Sequence, residues 1–380
     1  MSDDLAVRVR ARLAATGAAA TDAAVVAAVR AEVGVLGQAT VLAQATRLQA
    51  ELAGAGPLEP LLAEPGVTDV VVNGPRAVFV DRGEGLEPAG VAFADEAAIR
   101  SLAVRLATAA GRRLDDAVPW VDATLPDGIR LHAVLPPLAH DGPVLSLRVL
   151  GARPLSMDSL VRAGAVPADL QLMLHRLLEA RLSFLVTGGT GVGKTTVLAA
   201  VLGLLPPRER IVLVEDTPEL RPAHPHVVRL VTRPANVEGA GAVGLDVLVR
   251  QAMRMRPDRL VVGEVRGAEV VDLLAALNTG HEGGCGTVHA NSSADVPARM
   301  EALGLAAGLS RAAVHSQLAA GVRVVLHLAR SEGRRRLAEV ALLERGTDGI
   351  HVRPAWTNDA RDRLHAGPAV DDLGRLLERG

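Results

Sequence analysis

The run Gly188-Gly189-Thr190-Gly191-Val192-Gly193-Lys194-Thr195 fits G-x-x-x-x-G-K-S/T. Loops of this kind turn backbone N–H groups towards phosphate oxygens, while the lysine reaches the β- and γ-phosphates and the hydroxyl reaches Mg²⁺. The run implies a site for a nucleoside triphosphate, ATP with Mg²⁺, built from Gly188 through Thr195 with Thr196 next in line. Of the 41 Lys and Arg residues, one is a lysine, and it is Lys194. An ammonium is a compact charge on a thin stem, whereas a guanidinium is a planar fork that needs a wider slot.

Glu215, Asp216 and Glu219 follow the apolar run Ile211-Val212-Leu213-Val214. Alone, such an acid pair reads as a solvated turn. Beside a phosphate loop it can orient or deprotonate an attacking water, or hold Mg²⁺ through water. Glu264 ends Leu260-Val261-Val262-Gly263, and Gly263 fills the slot where many phosphate-loop enzymes carry a metal-binding Asp. Thr195, Asp216 and Glu264 are therefore the candidate Mg²⁺ partners, partly through water. Activation of water falls to Glu215 or Glu264, and the residues alone leave that choice open. His281, Cys285 and His289 are spaced by four, but a structural zinc needs four ligands and no second pair is near. His289, at a strand end, is placed to hydrogen-bond a γ-phosphate.

These residues need strands that end where the polar groups begin. Ser183–Thr187 reads as a strand before the loop and Thr196–Leu202 as a helix after it. Further strands are expected at Ile211–Val214, Leu260–Val262 and Gly286–His289, alternating with helical patterns, which implies a mainly parallel sheet covered on both faces. Ligands bind at the carboxyl ends of such strands, where the polar clusters fall. Residues 1–55 read as a helical segment, with Leu5, Val9 and Leu13, then Val25, Val26, Val29 and Val33, on one face. Over 56–150 an α+β domain is expected. It has a hairpin turning at Asn73-Gly74-Pro75, a helix capped by Asp95 and stopped by Gly111, and strands over 129–135 and 144–150. Gly151-Ala152-Arg153-Pro154-Leu155 opens a linker over 151–160, and 161–380 forms the nucleotide-binding domain.

At 380 residues the chain suits two domains. Hydrophobic residues make up 49%, yet there are three Phe, two Trp and no Tyr, so the core must be aliphatic. A net charge of -2 and the scarcity of stacking side chains argue against nucleic acid as the main partner. The lone Cys285 fits a reducing compartment. The first residues lack the pattern of a signal peptide, and no run of about 20 apolar residues is present, so any membrane role is expected through a partner.

Taken together, the chain resembles the secretion ATPases that power pilus assembly, type II secretion and type IV secretion, most closely the tight-adherence (Flp) pilus, or CpaF-like, branch. The resemblance covers about residues 55–345. It rests on Gly56-Pro57-Leu58-Glu59-Pro60-Leu61-Leu62, Val72-Asn73-Gly74, Leu125-Pro126-Asp127-Gly128, Pro136-Pro137, the phosphate loop, Val214-Glu215-Asp216, Arg256-Pro257-Asp258-Arg259, Gly263-Glu264-Val265-Arg266-Gly267, Asn278-Thr279-Gly280-His281 and Thr287-Val288-His289-Ala290-Asn291. It implies an α/β fold with a RecA-like P-loop core and a smaller N-terminal α+β domain. Glu215 and Asp216 would be an acidic box, Glu264 the Walker B glutamate, and His281 with His289 a histidine box. Arg130 and Arg148 would reach the triphosphate when the domains close, although from the residues alone they are ordinary strand cations.

The resemblance further implies a cytoplasmic ATP hydrolase, peripheral to the inner membrane, acting as a homo-oligomeric, hexameric ring on an inner-membrane platform protein. The rivals are a nucleic-acid translocase or DNA-uptake motor with the same core, and a scaffold that binds nucleotide without turnover. The intact Lys194, Thr195 and Glu264 argue against the scaffold. Lys194→Arg keeps the charge and changes the shape. It is expected to fold like the parent and lose about 10²–10³ in ATP turnover. Turnover and thermal unfolding beside the parent check this, and near-parental turnover would mean that charge alone suffices.

Overall fold

A computed structural model describes residues 8–9, 11–12, 15, 22–33, 54–83, 85–149, 155–233, 235, 240–331, 333–346, 349–359 and 361–378. The chain divides into two compact units, Met1–Gly151 and Ala152–Gly380. Leu5 and Leu13, the last residue of the expected strand over 144–150, and the start of the expected linker, 151–154, lie outside the described residues.

In the first unit, helix α1 spans Asp22–Val33, with Val25 and Val29 fully buried. After a 3-10 turn at Gly56–Leu58 and the short helix α2, Glu59–Leu62, the chain builds an antiparallel sheet. Its strands are β1 Asp69–Gly74, β2 Ala77–Asp81, β3 Leu86–Pro88, β4 Trp120–Thr124, β5 Arg130–Val134 and β6 Val144–Arg148, in the order β3-β2-β1-β6-β5-β4. Alternation sets the faces: Val70, Val72, Leu131, Leu145 and Leu147 point to the core, and their neighbours along the strands are partly or fully exposed. Helix α3, Glu96–Ala109, lays Ile99, Leu102 and Leu106 into the same cluster. Asp95 caps it by accepting from the Ala98 N–H at 2.8 Å. The β1–β2 turn is tighter than the Asn-Gly-Pro signal implies, because Gly74 still pairs with Ala77 across a register shift after Val72.

The second unit opens with α4, Met157–Arg162, which Ser156 caps. Residues 157–160, expected in the linker, are therefore its first turn. Helix α5 covers Ala168–Glu179. There follow β7 Phe184–Gly188, α6 Lys194–Leu202, β8 Ile211–Glu215, β9 Val227–Val231, α7 Leu245–Met253, β10 Arg259–Val265, α8 Glu269–Leu277 and β11 Cys285–Val288. Then come α9 Val296–Ala306, α10 Arg311–Gly321, β12 Val324–Ser331, β13 Arg334–Arg345, β14 Ile350–Asn358, β15 Leu364–Ala366 and α11 Val370–Leu377. The sheet order is β15-β14-β13-β12-β7-β11-β10-β8-β9. From β12 to β9 every pairing is parallel, and β13 to β15 add an antiparallel wing that the alternating pattern upstream did not foretell.

The central strands are buried on both faces, and this divides the core in two. Phe184, Val186, Ile211, Leu213 and Val261 pack with α5, α6 and α11. Leu185, Val212, Val214, Leu260 and Val262 pack with α7, α8, α9 and α10. Continuous aliphatic runs are what a two-faced parallel sheet requires.

At the amino end of that sheet lies Arg259, 1% exposed. Its Nε donates to Glu209 Oε2 at 2.6 Å and its Nη2 to the Leu178 carbonyl at 2.7 Å, joining α5, the approach to β8 and β10. Removing one partner of a buried pair strands the other charge. Arg259→Leu is expected to cost about 3–5 kcal/mol, and Arg259→Leu with Glu209→Leu less than that. Urea unfolding of the two variants checks it; a double variant as unstable as the single one would refute the pairing argument.

Candidate active site

The phosphate loop leaves β7 through a constriction. At Gly188, with φ 144°, a Cβ would lie 2.4 Å from the Leu328 carbonyl oxygen on β12 and 2.8 Å from Val192 Cγ2, so only glycine fits. Gly193, at φ 94°, turns the chain into α6 and serves as its N-cap, leaving the first N–H groups of the helix open to a ligand.

Lys194 begins α6 and is 8% exposed. Its Nζ donates to the carbonyls of Gly188 at 3.1 Å and Gly189 at 2.7 Å, and lies 3.4 Å from both ring nitrogens of His289. Burial pulls its pKa below the usual lysine range, against the carboxylates of Glu264 and Glu219, which raise it. His289 Nε2 in turn sits 2.7 Å from Glu264 Oε1. Burial and the Lys194 charge hold the His289 pKa down, opposed by Glu264. A neutral ring donates its Nε2–H to Glu264 as a hydrogen bond and keeps no charge of its own beside the ammonium. Lys194, His289 and Glu264 thus form one chain of contacts at the carboxyl ends of β7, β11 and β10.

Glu264 is aimed by a register break. Val262 pairs with Gly286 and Val265 with Val288, so Gly263 and Glu264 oppose Thr287 alone, a bulge closed by Thr287 Oγ1 donating to the Gly263 carbonyl at 2.7 Å. The glycine has a second reason. A Cβ at 263 would lie 2.8 Å from Glu215 Cγ, so an Asp there and Glu215 in its present place exclude each other.

Glu215, the last residue of β8, is 3% exposed. Its Oε1 accepts from the N–H groups of Glu219 at 3.0 Å and Leu220 at 2.8 Å, while its buried Oε2 has no hydrogen-bond partner among the described residues. Burial pushes its pKa up to about 7 despite those two N–H groups. Asp216 is ion-paired to Arg266.

Other expected residues lie on other elements. His281 lies before β11 and His289 directly follows it, at opposite ends of the strand. Cys285 is fully buried on β11, its thiol pushed up to about 12 by desolvation, which makes it a packing residue. Arg130 and Arg148, in the first unit, are register partners on β5 and β6. Arg148 Nε donates to Asp69 Oδ1 at 3.3 Å.

Two features escaped the sequence. Glu269 turns back to accept from the N–H groups of Arg266 and Gly267, fixing the turn after Glu264, and its place three residues after Arg266 was the available signal. His327, a histidine inside the apolar run Val324–Leu328, meets Thr187 Oγ1 through Nδ1 at 2.9 Å, at the root of the phosphate loop.

A buried cation held by its own loop's carbonyls, beside an open helix N-terminus and two strand-end acids, is a phosphate site. A family model described as type II/IV secretion system protein matches residues 51–368. The chain belongs to this family of secretion ATPases. A Mycobacterium tuberculosis protein provisionally named a conjugal transfer protein is 59% identical over 347 residues, spanning 90% of this chain and 98% of its own. The conjugal transfer protein TrbB of Rhizobium radiobacter is 31% identical over 290 residues, 74% of this chain and 85% of its own. The solved pilus retraction motor PilT superposes with a TM-score of 0.54 at 19% identity, over 84% of this chain and 85% of its own, and shows the shared fold. This ATPase has the RecA-like core and the N-terminal α+β domain of such enzymes.

The Glu215 proton gives a test. Because the folded state holds a proton between about pH 4.5 and 7 that the unfolded state releases, the contribution of Glu215 to stability falls as pH rises through that window. Glu215→Gln removes the dependence. Its stability relative to the parent should increase from pH 5 to pH 8, by up to about 3 kcal/mol. Denaturation of the nucleotide-free proteins at both pH values measures the gap, and a gap that does not change with pH would refute the buried proton.

Proposed function

We propose that this ATPase hydrolyses ATP to ADP and phosphate as the hexameric ring motor of a tight-adherence type pilus or secretion machine, driving an inner-membrane platform protein from the cytoplasmic side. The observation that carries the reading is Lys194, buried and resting on the Gly188 and Gly189 carbonyls, partners that β- and γ-phosphate oxygens can replace. The main-chain N–H groups of Gly189 to Thr196 cradle the phosphates. The oxygen donors Thr195, Asp216 and Glu264 suit Mg²⁺, which takes few protein ligands and keeps water; Asp216 acts through water while Arg266 holds it. Bound Mg²⁺ would offset charge on the β- and γ-phosphates.

Glu264 takes the proton of the attacking water. It is 39% exposed, its side chain is aimed by the bulge, and His289 steadies it. The water oxygen bonds to the γ-phosphorus as the bridging oxygen leaves with ADP. Glu215, with its open Oε2, accepts from a site water. Arg130 and Arg148 stabilise charge on the triphosphate when the domains close. The platform protein is the proposed membrane partner; among the described residues no helix of this chain is long and apolar enough to cross a membrane.

Glu264→Gln is expected to bind ATP like the parent and to hydrolyse it about 10²–10⁴ more slowly. Nucleotide binding by fluorescence and phosphate release in single turnover measure the two steps. Turnover within a few-fold of the parent would move base catalysis to Glu215. Stimulation of the parent by single-stranded DNA at low salt would move the whole reading to a nucleic-acid translocase.

A further inference from the structure

The β12–β13 hairpin turns at Gly333, φ 79°, and brings four arginines to its tip. Three of them are held by the protein. Arg330 Nε donates to the Gly333 carbonyl at 3.1 Å, Arg334 pairs with Asp362 at 3.1 Å, and Arg336 donates to the Asp359 carbonyl and lies 3.6 Å from Asp362. Arg335 is different. It is exposed, and among the described residues its side chain has no hydrogen bond or ion pair. It also stands directly across from Arg330 in the ladder, where like charges repel.

Its stem has a defined place. Arg335 Cδ lies 3.9 Å from the position of a Cβ on Gly193, the residue that caps α6 and precedes Lys194. The hairpin is fixed there by the parallel pairing of β12 with β7, Leu328 opposite Gly188, so it begins at the same sheet position as the phosphate loop. A guanidinium extends beyond its Cδ by the length of the fork. From above Gly193 that length carries it over the N–H groups at the start of α6, where an anion is held.

Resting on the nucleotide site proposed above, we infer that Arg335 is a further binding residue of this ATPase: its guanidinium closes over the phosphate loop and donates to the α- and β-phosphates of the bound nucleotide. Lys194 then serves the phosphates from within the loop as a point charge, and Arg335 from outside as a planar, two-pronged donor. The rival contact is with the base, since a guanidinium also stacks on a purine and this chain has no Tyr to do so.

The test uses the full-length protein and competition against a fluorescent ADP, with ADP and inorganic tripolyphosphate as competitors. A charge-assisted contact predicts that Arg335→Ala weakens both competitors by about 10-fold or more. Arg334→Ala, which removes a cation from the same tip, should change neither by more than about twofold. Loss confined to ADP, with tripolyphosphate unchanged, would overturn the phosphate contact in favour of the base. Equal losses in Arg334→Ala and Arg335→Ala would overturn it in favour of the general field of the tip, and unchanged binding in Arg335→Ala would overturn it outright. Lys194→Ala separates the two levels of the argument. If the parent binds no fluorescent ADP, or Lys194→Ala binds it as the parent does, the nucleotide site itself is wrong. If only the Arg335 arm fails, the site stands without this residue.

Discussion

A buried ammonium whose hydrogen-bond partners are carbonyls and a neutral ring sets the terms for the second unit. Desolvating a charge is costly unless something compensates it. For Lys194 the compensation within the protein is partial: two loop carbonyls, His289, and the more distant fields of Glu264 and Glu219. The helix dipole of α6 adds positive potential at the same point. Such a place is stable only as the receiving end of an anion. Holding it there requires a loop that turns sharply, which requires Gly188 beneath the Leu328 carbonyl, which in turn requires β12 beside β7.

The acids answer the same constraint in the opposite sense. Too many carboxylates beside a polyphosphate would repel the ligand that the lysine calls for. Gly263 removes one potential acid and leaves room for Glu215, and the burial of Glu215 keeps its pKa near 7, so that its charge is only partly present at neutral pH. Asp216 is neutralised by Arg266, and Glu264 is shared with His289. The site therefore holds its acidic groups in reserve. Three different devices do this, and each depends on a neighbour placed by the sheet.

What was legible in the sequence was what adjacent residues decide. The phosphate loop is local, since a strand, a glycine-rich turn and a helix in order are enough to build it. The acids at 215 and 264 were legible because each directly follows an apolar run, and the Asp95 cap because its partner is three residues away. What depended on register was not. Thr187 and His327 meet across 140 positions, the bulge at Gly263 exists only against Thr287, and the repulsion between a Cβ at 263 and Glu215 needs two strands in place. The spacing of His281 and His289 was visible, yet their placement at opposite ends of β11 was not, because eight residues make about two turns of helix but here include a whole strand. The wing from β13 to β15 stayed hidden for a related reason. Five arginines stand in β13 and β14, at 334, 335, 336, 345 and 353, and in sequence such charge reads as loop.

The division between one lysine and many arginines now has a structural sense. Arg259 shows what a guanidinium does when enclosed, with its fork engaging Glu209 and the Leu178 carbonyl at the same time and binding three segments into one. Leaving such a place means breaking several contacts together, so an arginine there is a fixture. Lys194 has the reverse requirement, because it must exchange protein acceptors for phosphate oxygens as substrate arrives and return to them as product leaves. A point charge on a thin stem makes that exchange by a small rotation, without having to reorient a plane. Where the enclosed arginine makes a permanent tie, the enclosed lysine sits where the tie must be temporary.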